Sequence, residues 1–208
     1  MRIVSPTLYL SQPQRQMMTR NFVRYLTRAQ GVANGYNPAG VIGAAAAADQ
    51  TVDTWFGALN QARATRLKNN LGLMIRCLNN YHVNGRSYER TIQLQHSSGD
   101  DTHDRTIMGQ AFAFGVANPN AHFTLRIMVG LGFRDATYDD KVQTILHELS
   151  HRILATDDEV NAVCLSDDNE CYGPADCRAL AAADSDQALN NADSFGYFVC
   201  ACNGLNPS

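Results

Sequence analysis

The chain of 208 residues has few glutamates, no excess of basic residues and no long apolar run. It carries 17 Lys and Arg against 20 Asp and Glu, so it has no surplus charge to neutralise a phosphate backbone and we expect no nucleic-acid partner. No apolar stretch approaches the ~20 residues that a membrane-spanning helix needs. Because 45% of the residues are hydrophobic and the net charge is only −3, a disordered chain is also excluded. One globular domain over residues 1–208 remains.

Cysteine usage and the first residues bear on localisation. Residues 1–10 lack the apolar stretch of a secretory signal, because Ser5, Pro6 and Thr7 interrupt it. Five of the six cysteines lie after residue 160, which favours an oxidising destination and a C-terminal part held by disulfides. We therefore expect a secreted protein whose signal has been removed or whose export needs none.

The first third of the chain has helical periodicity. Residues 14–30 carry Met17, Phe22 and Leu26, and a Gly/Pro/Asn-rich break follows at 31–40. The spacing then predicts one longer helix over residues 51–80. Its core positions would be Val52, Trp55, Leu59, Leu67, Leu71, Met74 and Leu78.

The middle third changes to strand periodicity. Residues 90–95, 110–116 and 123–129 alternate, which predicts a small, mostly antiparallel sheet. In the last strand Phe123, Leu125, Ile127 and Val129 share one face. Residues 96–104 hold two His and three Asp, which we interpret as a solvated turn rather than a cation site.

From Asp139 the period returns to that of a helix. Its apolar residues fall on one side, whereas His147 and His151 project to the opposite side and are expected to line a cleft. The apolar stripe consists of Val142, Ile145, Leu146, Leu149 and Ile153. Two further helices are predicted, over residues 175–183 and 186–200.

The sequence His147-Glu148-Leu149-Ser150-His151 is an H-E-x-x-H motif. Imidazoles at positions i and i+4 of a helix can bind one Zn²⁺, and the Glu beside the first His can act as general base on a water. Helix phase places both His away from the core, so two independent signals predict a zinc site. A catalytic zinc also needs a third protein ligand.

Two types of third ligand fit poorly. A metzincin needs a glycine and a third His, but Leu154 and Asp157 stand at those positions. A thermolysin-like peptidase takes a Glu downstream, and Glu170 is the candidate here. That class also expects an Asp four residues after this Glu, where Pro174 stands.

A third pattern fits better. Ala155-Thr156-Asp157-Asp158, read with Tyr172-Gly173, resembles the G-T-x-D…Y-G signature of the aspzincins, the deuterolysin and peptidyl-Lys metalloendopeptidase family. Residues 190–198, which read NNADSFGYF, resemble that family's N-A-D-x-x-x-[YF]-F segment. The specific resemblance covers residues 147–199 and suggests a bacterial-type member.

The resemblance implies a zincin-like α+β fold with N-terminal helices and a sheet in 1–137, and the active-site helix, ligand loop and C-terminal helices in 138–208. It implies zinc ligands His147, His151 and Asp158, general base Glu148, and Tyr172 as oxyanion donor. Neighbouring residues of an extended segment point in different directions, so we favour Asp158 over Asp157 as the third ligand.

The chain departs from the family pattern in three places. Ala155 replaces a glycine, which matters only if that residue needs a positive φ. The segment 159–171 is longer than expected, and a Cys164–Cys171 bridge would keep Tyr172 in position. Lys-specific members bind the substrate lysine with the Asp of N-A-D and a Glu three residues later. Here Asp193 is the substrate-binding candidate, but Gly196 occupies the Glu position.

The leading hypothesis is a zinc-dependent endopeptidase acting on proteins or peptides, with a weakened preference for Lys beside the scissile bond. A second hypothesis keeps this chemistry in a leaderless toxin or effector that acts on a rival or host cell, with an inhibitor or immunity protein as its partner. A third is a zinc-stabilised binding module without catalysis. Retention of Glu148 argues against the third, because a structural zinc site has no need of it.

Overall fold

The computed structural model describes residues 1–38, 46–79, 81–83, 86–88, 91–96, 109–110, 124–166 and 169–208. It is helix-rich with a small sheet, which confirms the mixed class expected from the sequence. In chain order the elements are β1 Arg2–Val4, α1 Gln12–Gly35, α2 Ala46–Phe56, α3 Gln61–Leu78, β2 Tyr81–Val83, β3 Arg86–Tyr88, β4 Thr91–His96, β5 Gly109–Gln110, β6 Thr124–Val129, α4 Leu131–Asp135, α5 Tyr138–Leu154, α6 Gly173–Ala183, α7 Ser185–Ala188 and α8 Ala192–Cys202.

Helix α1 extends into the predicted break and ends within it, at Gly35. It buries Met18, Phe22 and Leu26, whereas Met17 is 42% exposed. The prediction of Met17 as a core residue is therefore wrong. Met18 lies four residues before Phe22 and so shares its face of the helix, and Met17 is rotated away from that face by about 100°.

The single helix predicted over residues 51–80 is two helices, α2 and α3, which separate at Gly57. Gly57 has a φ of +69°, and a Cβ there would collide with the carbonyl oxygen of Ala181, so the turn requires glycine. Asn60 then caps α3 by accepting a hydrogen bond from the Arg63 N–H at 3.0 Å. The prediction was wrong because buried apolar residues continue across the turn and hide it.

The main sheet has the strand order β1-β4-β6-β5, and its direction corrects the prediction of a mostly antiparallel sheet. Strands β1 and β4 pair in parallel, as do β4 and β6, and only the short edge strand β5 is antiparallel to its neighbour. Alternation of apolar residues reveals which face is buried but not which way the paired strand runs. A separate antiparallel hairpin joins β2 and β3.

The buried face of β6 confirms part of the strand prediction, since Leu125, Ile127 and Val129 are each at most 1% exposed. The predicted strand 90–95 corresponds to β4. Of the predicted strand 110–116 only residue 110 is described, within β5. Phe123 and nearly all of the His- and Asp-containing segment 96–104 lie outside the described residues.

Helix α5 begins at a capping box formed by Thr137 and Asp140, whose side chains and N–H groups bond reciprocally. It contacts α8 and α3 and also β5, β6 and α4. The predicted apolar stripe is confirmed, because all five residues are fully buried: Val142, Ile145, Leu146, Leu149 and Ile153.

The helix predicted over residues 186–200 is also two helices, α7 and α8. Between them the backbone pairs with Asp157. The Asp157 N–H donates to the Asn190 carbonyl at 2.8 Å, and the Ala192 N–H donates to the Asp157 carbonyl at 2.9 Å. This pairing, which connects distant parts of the sequence, interrupts a helix that periodicity alone predicts as continuous.

The C-terminal part contains one disulfide among the described residues, Cys164–Cys171. Cys177, Cys200 and Cys202 are buried thiols, so the prediction of a C-terminal part held by disulfides is confirmed for one bridge only. Burial raises the pKa of Cys202 to about 12, which keeps its thiol protonated. Among the described residues, every helix is too short or too polar to cross a bilayer. The division of one domain at residue 137 stays a prediction.

Candidate metal centre

Two imidazoles on α5 lie one helical turn apart and face each other. The Nε2 atoms of His147 and His151 are 3.0 Å apart, and each side chain is about nine-tenths buried. Residues four positions apart on a helix lie on the same face, so the backbone of α5 alone brings these two nitrogens together.

A left-handed turn at the end of α5 orients the second imidazole. Ala155 has a φ of 54° and a ψ of 39°, and its N–H donates to the His151 carbonyl. The next residue, Thr156, places its own carbonyl oxygen 2.8 Å from Nδ1 of His151. A carbonyl at this position accepts the Nδ1 proton and leaves Nε2 available as a ligand.

The same turn brings Asp158 to the two imidazoles. Its Oδ1 lies 3.4 Å from Nε2 of His147 and 3.3 Å from Nε2 of His151. The neighbouring Asp157 is exposed, and its Oδ1 accepts a hydrogen bond from the Asp158 N–H at 3.0 Å. Of the two aspartates that the sequence left in competition, Asp158 is therefore the one that lies with the histidines.

The three donor atoms fit a zinc ion. Tetrahedral Zn²⁺ with bonds of about 2.0–2.2 Å separates neighbouring donors by roughly 3.3 Å, and the three observed separations are 3.0, 3.3 and 3.4 Å. Among the described residues, no group donates a hydrogen bond to the buried Oδ1 of Asp158. Two imidazoles and one carboxylate form the donor set of a catalytic zinc site, which keeps a position open for substrate or water.

A second carboxylate, that of Asp193, contacts the Nδ1 atom of His147. Oδ1 of Asp193, on α8, lies 2.7 Å from Nδ1 of His147 and accepts a hydrogen bond from Nε2 of Gln143 at 2.7 Å. Its Oδ2 accepts a hydrogen bond from the Gly173 N–H at 2.7 Å. Asp193 is 6% exposed. Its substrate-binding role stays a prediction, and these bonds favour a different role for its charge.

Charge and burial act in opposite directions on the histidines. Burial lowers the pKa of His147, but the hydrogen bond and charge of Asp193, with the charges of Glu148 and Asp158, outweigh burial and raise this pKa to about 9. Burial raises the pKa of Asp158, but its close contact with His151 and the charges of both imidazoles outweigh burial and lower this pKa. Such a concentration of negative charge favours a divalent cation, which replaces the proton at Nε2.

Glu148 follows His147 on α5 and is 3% exposed. Its Oε1 lies 3.8 Å from Nε2 of His147. Strand β5 passes close to this carboxylate, because a Cβ on Gly109 would lie 2.9 Å from Oε1 of Glu148 and 2.8 Å from Cγ2 of Thr144. A glycine at this edge strand therefore leaves the space that Glu148 occupies.

Tyr172 lies at the other side of the centre, immediately before α6. Its ring is 6.1 Å from the His147 ring at an interplanar angle of 29°, and the residue is 42% exposed. Burial of the hydroxyl raises the pKa of Tyr172, and a hydrogen bond to Asp158 raises it further. The hydroxyl is thus a proton donor at neutral pH rather than a phenolate.

Of the six site residues predicted from the sequence, five therefore lie around the sixth, His147. Glu170, the thermolysin-type alternative, pairs with Val160 in the ligand loop and is not part of the His–His–Asp cluster. Sequence reasoning missed Gln143 and Gly109. Gln143 lies one turn before His147 and could have been found by helical spacing, whereas nothing local marks Gly109.

Comparison with known proteins identifies the family of the chain. The sequence model of the aspzincin family, described as lysine-specific metallo-endopeptidase, matches residues 41–200. Since this match spans most of the sequence, the chain belongs to the aspzincin family of metalloendopeptidases. The family resemblance and the predicted zinc cofactor are thereby confirmed, and the class of the protein is that of zinc-dependent peptidases.

Two individual proteins are similar to parts or all of the chain. An extracellular protease of Aeromonas hydrophila is 44% identical over 61 residues, which cover 29% of this chain and 15% of that protein. The chain thus spans only a small share of that relative's length. A solved structure, a zinc peptidase from Grifola frondosa, is 20% identical and superposes with a TM-score of 0.50, covering 92% of this chain and 98% of that one. At this identity the likeness concerns the fold alone.

Proposed function

We propose that this chain hydrolyses internal peptide bonds of proteins, with His147, His151 and Asp158 holding zinc. The observation that carries the proposal is the triangle of donor atoms, whose sides of 3.0, 3.3 and 3.4 Å match a tetrahedral zinc ion. Bound zinc supplies a Lewis acid, which makes water more acidic and polarises the carbonyl of the scissile bond.

The protein side chains perform the proton transfers. Glu148 accepts a proton from the attacking water and delivers it to the leaving nitrogen, a role supported by its burial next to His147. Tyr172 donates a hydrogen bond to the oxyanion that forms at the carbonyl, which its raised pKa allows. Its exposure of 42% leaves it accessible to a substrate.

We expect only a weak preference for Lys beside the scissile bond. The description of the family supports such a preference. In this chain, however, the charge of Asp193 is used by His147, Gln143 and the Gly173 N–H. A side chain at Gly196 would begin 3.0 Å from Nε2 of Gln143, which leaves little room for a second acidic group at that position.

We also propose that the protein acts outside the cell that makes it. The Aeromonas hydrophila relative is an extracellular protease, which supports this localisation, and so does the Cys164–Cys171 disulfide. Delivery as a toxin or effector, and an inhibitor or immunity protein as partner, stay predictions.

The Glu148→Gln variant tests the proposal. We expect it to retain zinc, measured by mass spectrometry of the metal content, and to lose cleavage of casein by at least about 1,000-fold. Asp186→Asn, which removes an exposed carboxylate on α7 outside the cluster, is the control and should cleave at the parental rate. Equal casein cleavage by Glu148→Gln and the parent would overturn the proposed mechanism. Mass spectrometry of the cut sites measures the preference for Lys.

A further inference from the structure

Exposed apolar side chains concentrate on one segment of the molecule. Six large hydrophobic residues of the described part of the chain are exposed, and four of them lie between residues 160 and 172. Scattered apolar residues on a surface need no explanation, but a concentration of them marks a binding surface. We name these four residues the apolar rim: Val160 at 56% exposure, Val163 at 38%, Leu165 at 86% and Tyr172 at 42%.

Backbone bonds and the disulfide hold the apolar rim in place. Val160 forms a bridge with Glu170, and the Asn161 N–H donates to the Asn169 carbonyl at 2.9 Å. The Cys164–Cys171 disulfide closes the segment. The Leu165 N–H donates to Oδ2 of the buried Asp176 on α6 at 3.2 Å, so Leu165 is exposed on an anchored backbone.

The two ends of the apolar rim, Val160 and Tyr172, adjoin the metal centre. Val160 follows the zinc-ligand candidate Asp158 by two residues, and Tyr172 ends the rim beside the ring of His147. A polypeptide whose scissile bond reaches the three donor atoms therefore comes close to these two ends of the apolar rim. Because the surface is formed before binding, contact with it costs little conformational entropy of the protein.

We propose that the apolar rim is a substrate-binding surface that accepts a large aliphatic or aromatic side chain of the polypeptide close to the scissile bond. This inference rests on the proposed peptidase function. It assigns specificity to side chains in the segment 159–171, which is longer than the aspzincin pattern leads one to expect. Apolar contact rather than charge is then the main determinant of substrate choice in this chain.

The test measures binding separately from cleavage. Two fluorescein-labelled ten-residue peptides, identical except that the residues flanking the central bond are Leu in one and Ser in the other, are titrated into zinc-loaded Glu148→Gln protein. Fluorescence anisotropy gives both dissociation constants. We expect the Leu peptide to bind about fivefold more tightly, and the added Val163→Ser and Leu165→Ser substitutions to remove this difference.

Leu8 and Met17 provide matched controls, because they are apolar residues outside the apolar rim with exposures of 57% and 42%. Leu8→Ser and Met17→Ser should leave the fivefold difference unchanged. Equal binding of the two peptides, or a difference that persists in the Val163→Ser/Leu165→Ser protein, would overturn the inference. Failure of the proposed function gives another result, namely that the protein with Glu148 intact cuts neither peptide nor casein while the binding difference remains.

Discussion

The two halves of the metal centre are built in different ways. His147, Glu148 and His151 lie on one helix, where 3.6 residues per turn set their spacing without help from the rest of the protein. Asp158 and Tyr172 lie on an irregular segment, positioned by a left-handed residue, a β-bridge to Asn191 and a disulfide. The helical half is therefore defined by local sequence, and the loop half depends on contacts with α6 and α8.

The largest expected effect is at Asp158, the proposed ligand of the loop half. Asp158→Ala should weaken zinc binding by more than about 100-fold. Loss of a residue that only hydrogen-bonds to a metal ligand typically costs roughly 10- to 100-fold in affinity, and loss of the ligand itself costs more. Asp157→Ala should retain zinc affinity within about threefold, because the exposed Asp157 carboxylate accepts a hydrogen bond from the Asp158 N–H and is not part of the His–His–Asp cluster. Competition titration with a chelator measures both constants. Greater zinc loss in Asp157→Ala than in Asp158→Ala would show that Asp157, not Asp158, is the third zinc ligand.

Asp193 tests whether the helical half is as independent as its sequence suggests. Asp193→Asn should weaken zinc binding roughly 10- to 100-fold, because it removes the charge that fixes the His147 imidazole. Asp186→Asn, a change at an exposed aspartate on α7, should leave zinc affinity unaltered. If Asp193→Asn keeps its zinc and instead loses preference for Lys-containing peptides, Asp193 acts on the substrate.

Gly109 tests a contact between the helical half and strand β5, which lies far from that helix in the sequence. The contact is the close approach of Gly109 to the Glu148 side chain. Gly109→Ala should lower kcat roughly tenfold without changing zinc content, since the new Cβ displaces the Glu148 carboxylate. Gly31→Ala on α1 is the control, because a Cβ there has no neighbour within 4 Å. Parental kcat in Gly109→Ala would mean that Glu148 relaxes freely.

The smallest expected effect is at the junction of the two halves. Ala155→Gly should raise the free energy of unfolding by about 1 kcal/mol, because a φ of 54° is unfavourable for alanine and not for glycine. Ala182→Gly, at an exposed position inside α6, should lower it by roughly 0.5–1 kcal/mol. Urea denaturation measures both values. A loss of stability in Ala155→Gly would show that the turn is not strained.

Much of the fold could be predicted where a residue's neighbours in space are also its neighbours in sequence. The stripe of α5 and the buried face of β6 follow from periodicity. The predictions failed where a distant element decides: Gly57 turns next to the carbonyl of Ala181, and Asn190 and Asn191 leave the helix because they pair with Asp157. The direction of the sheet was mispredicted for the same reason, since residues 2–4 of β1, near the N-terminus, pair in parallel with residues 91–93 of β4.

The sequence by itself determined the spacing of His147, Glu148 and His151, because a helix converts a separation of four residues into a fixed distance between side chains. Only the tertiary structure decided that Asp158 rather than Asp157 meets the histidines, that Asp193 lies against His147, and that the side chains of the apolar rim remain exposed. Each of these depends on where separate segments come to lie, and no periodicity within one segment encodes that.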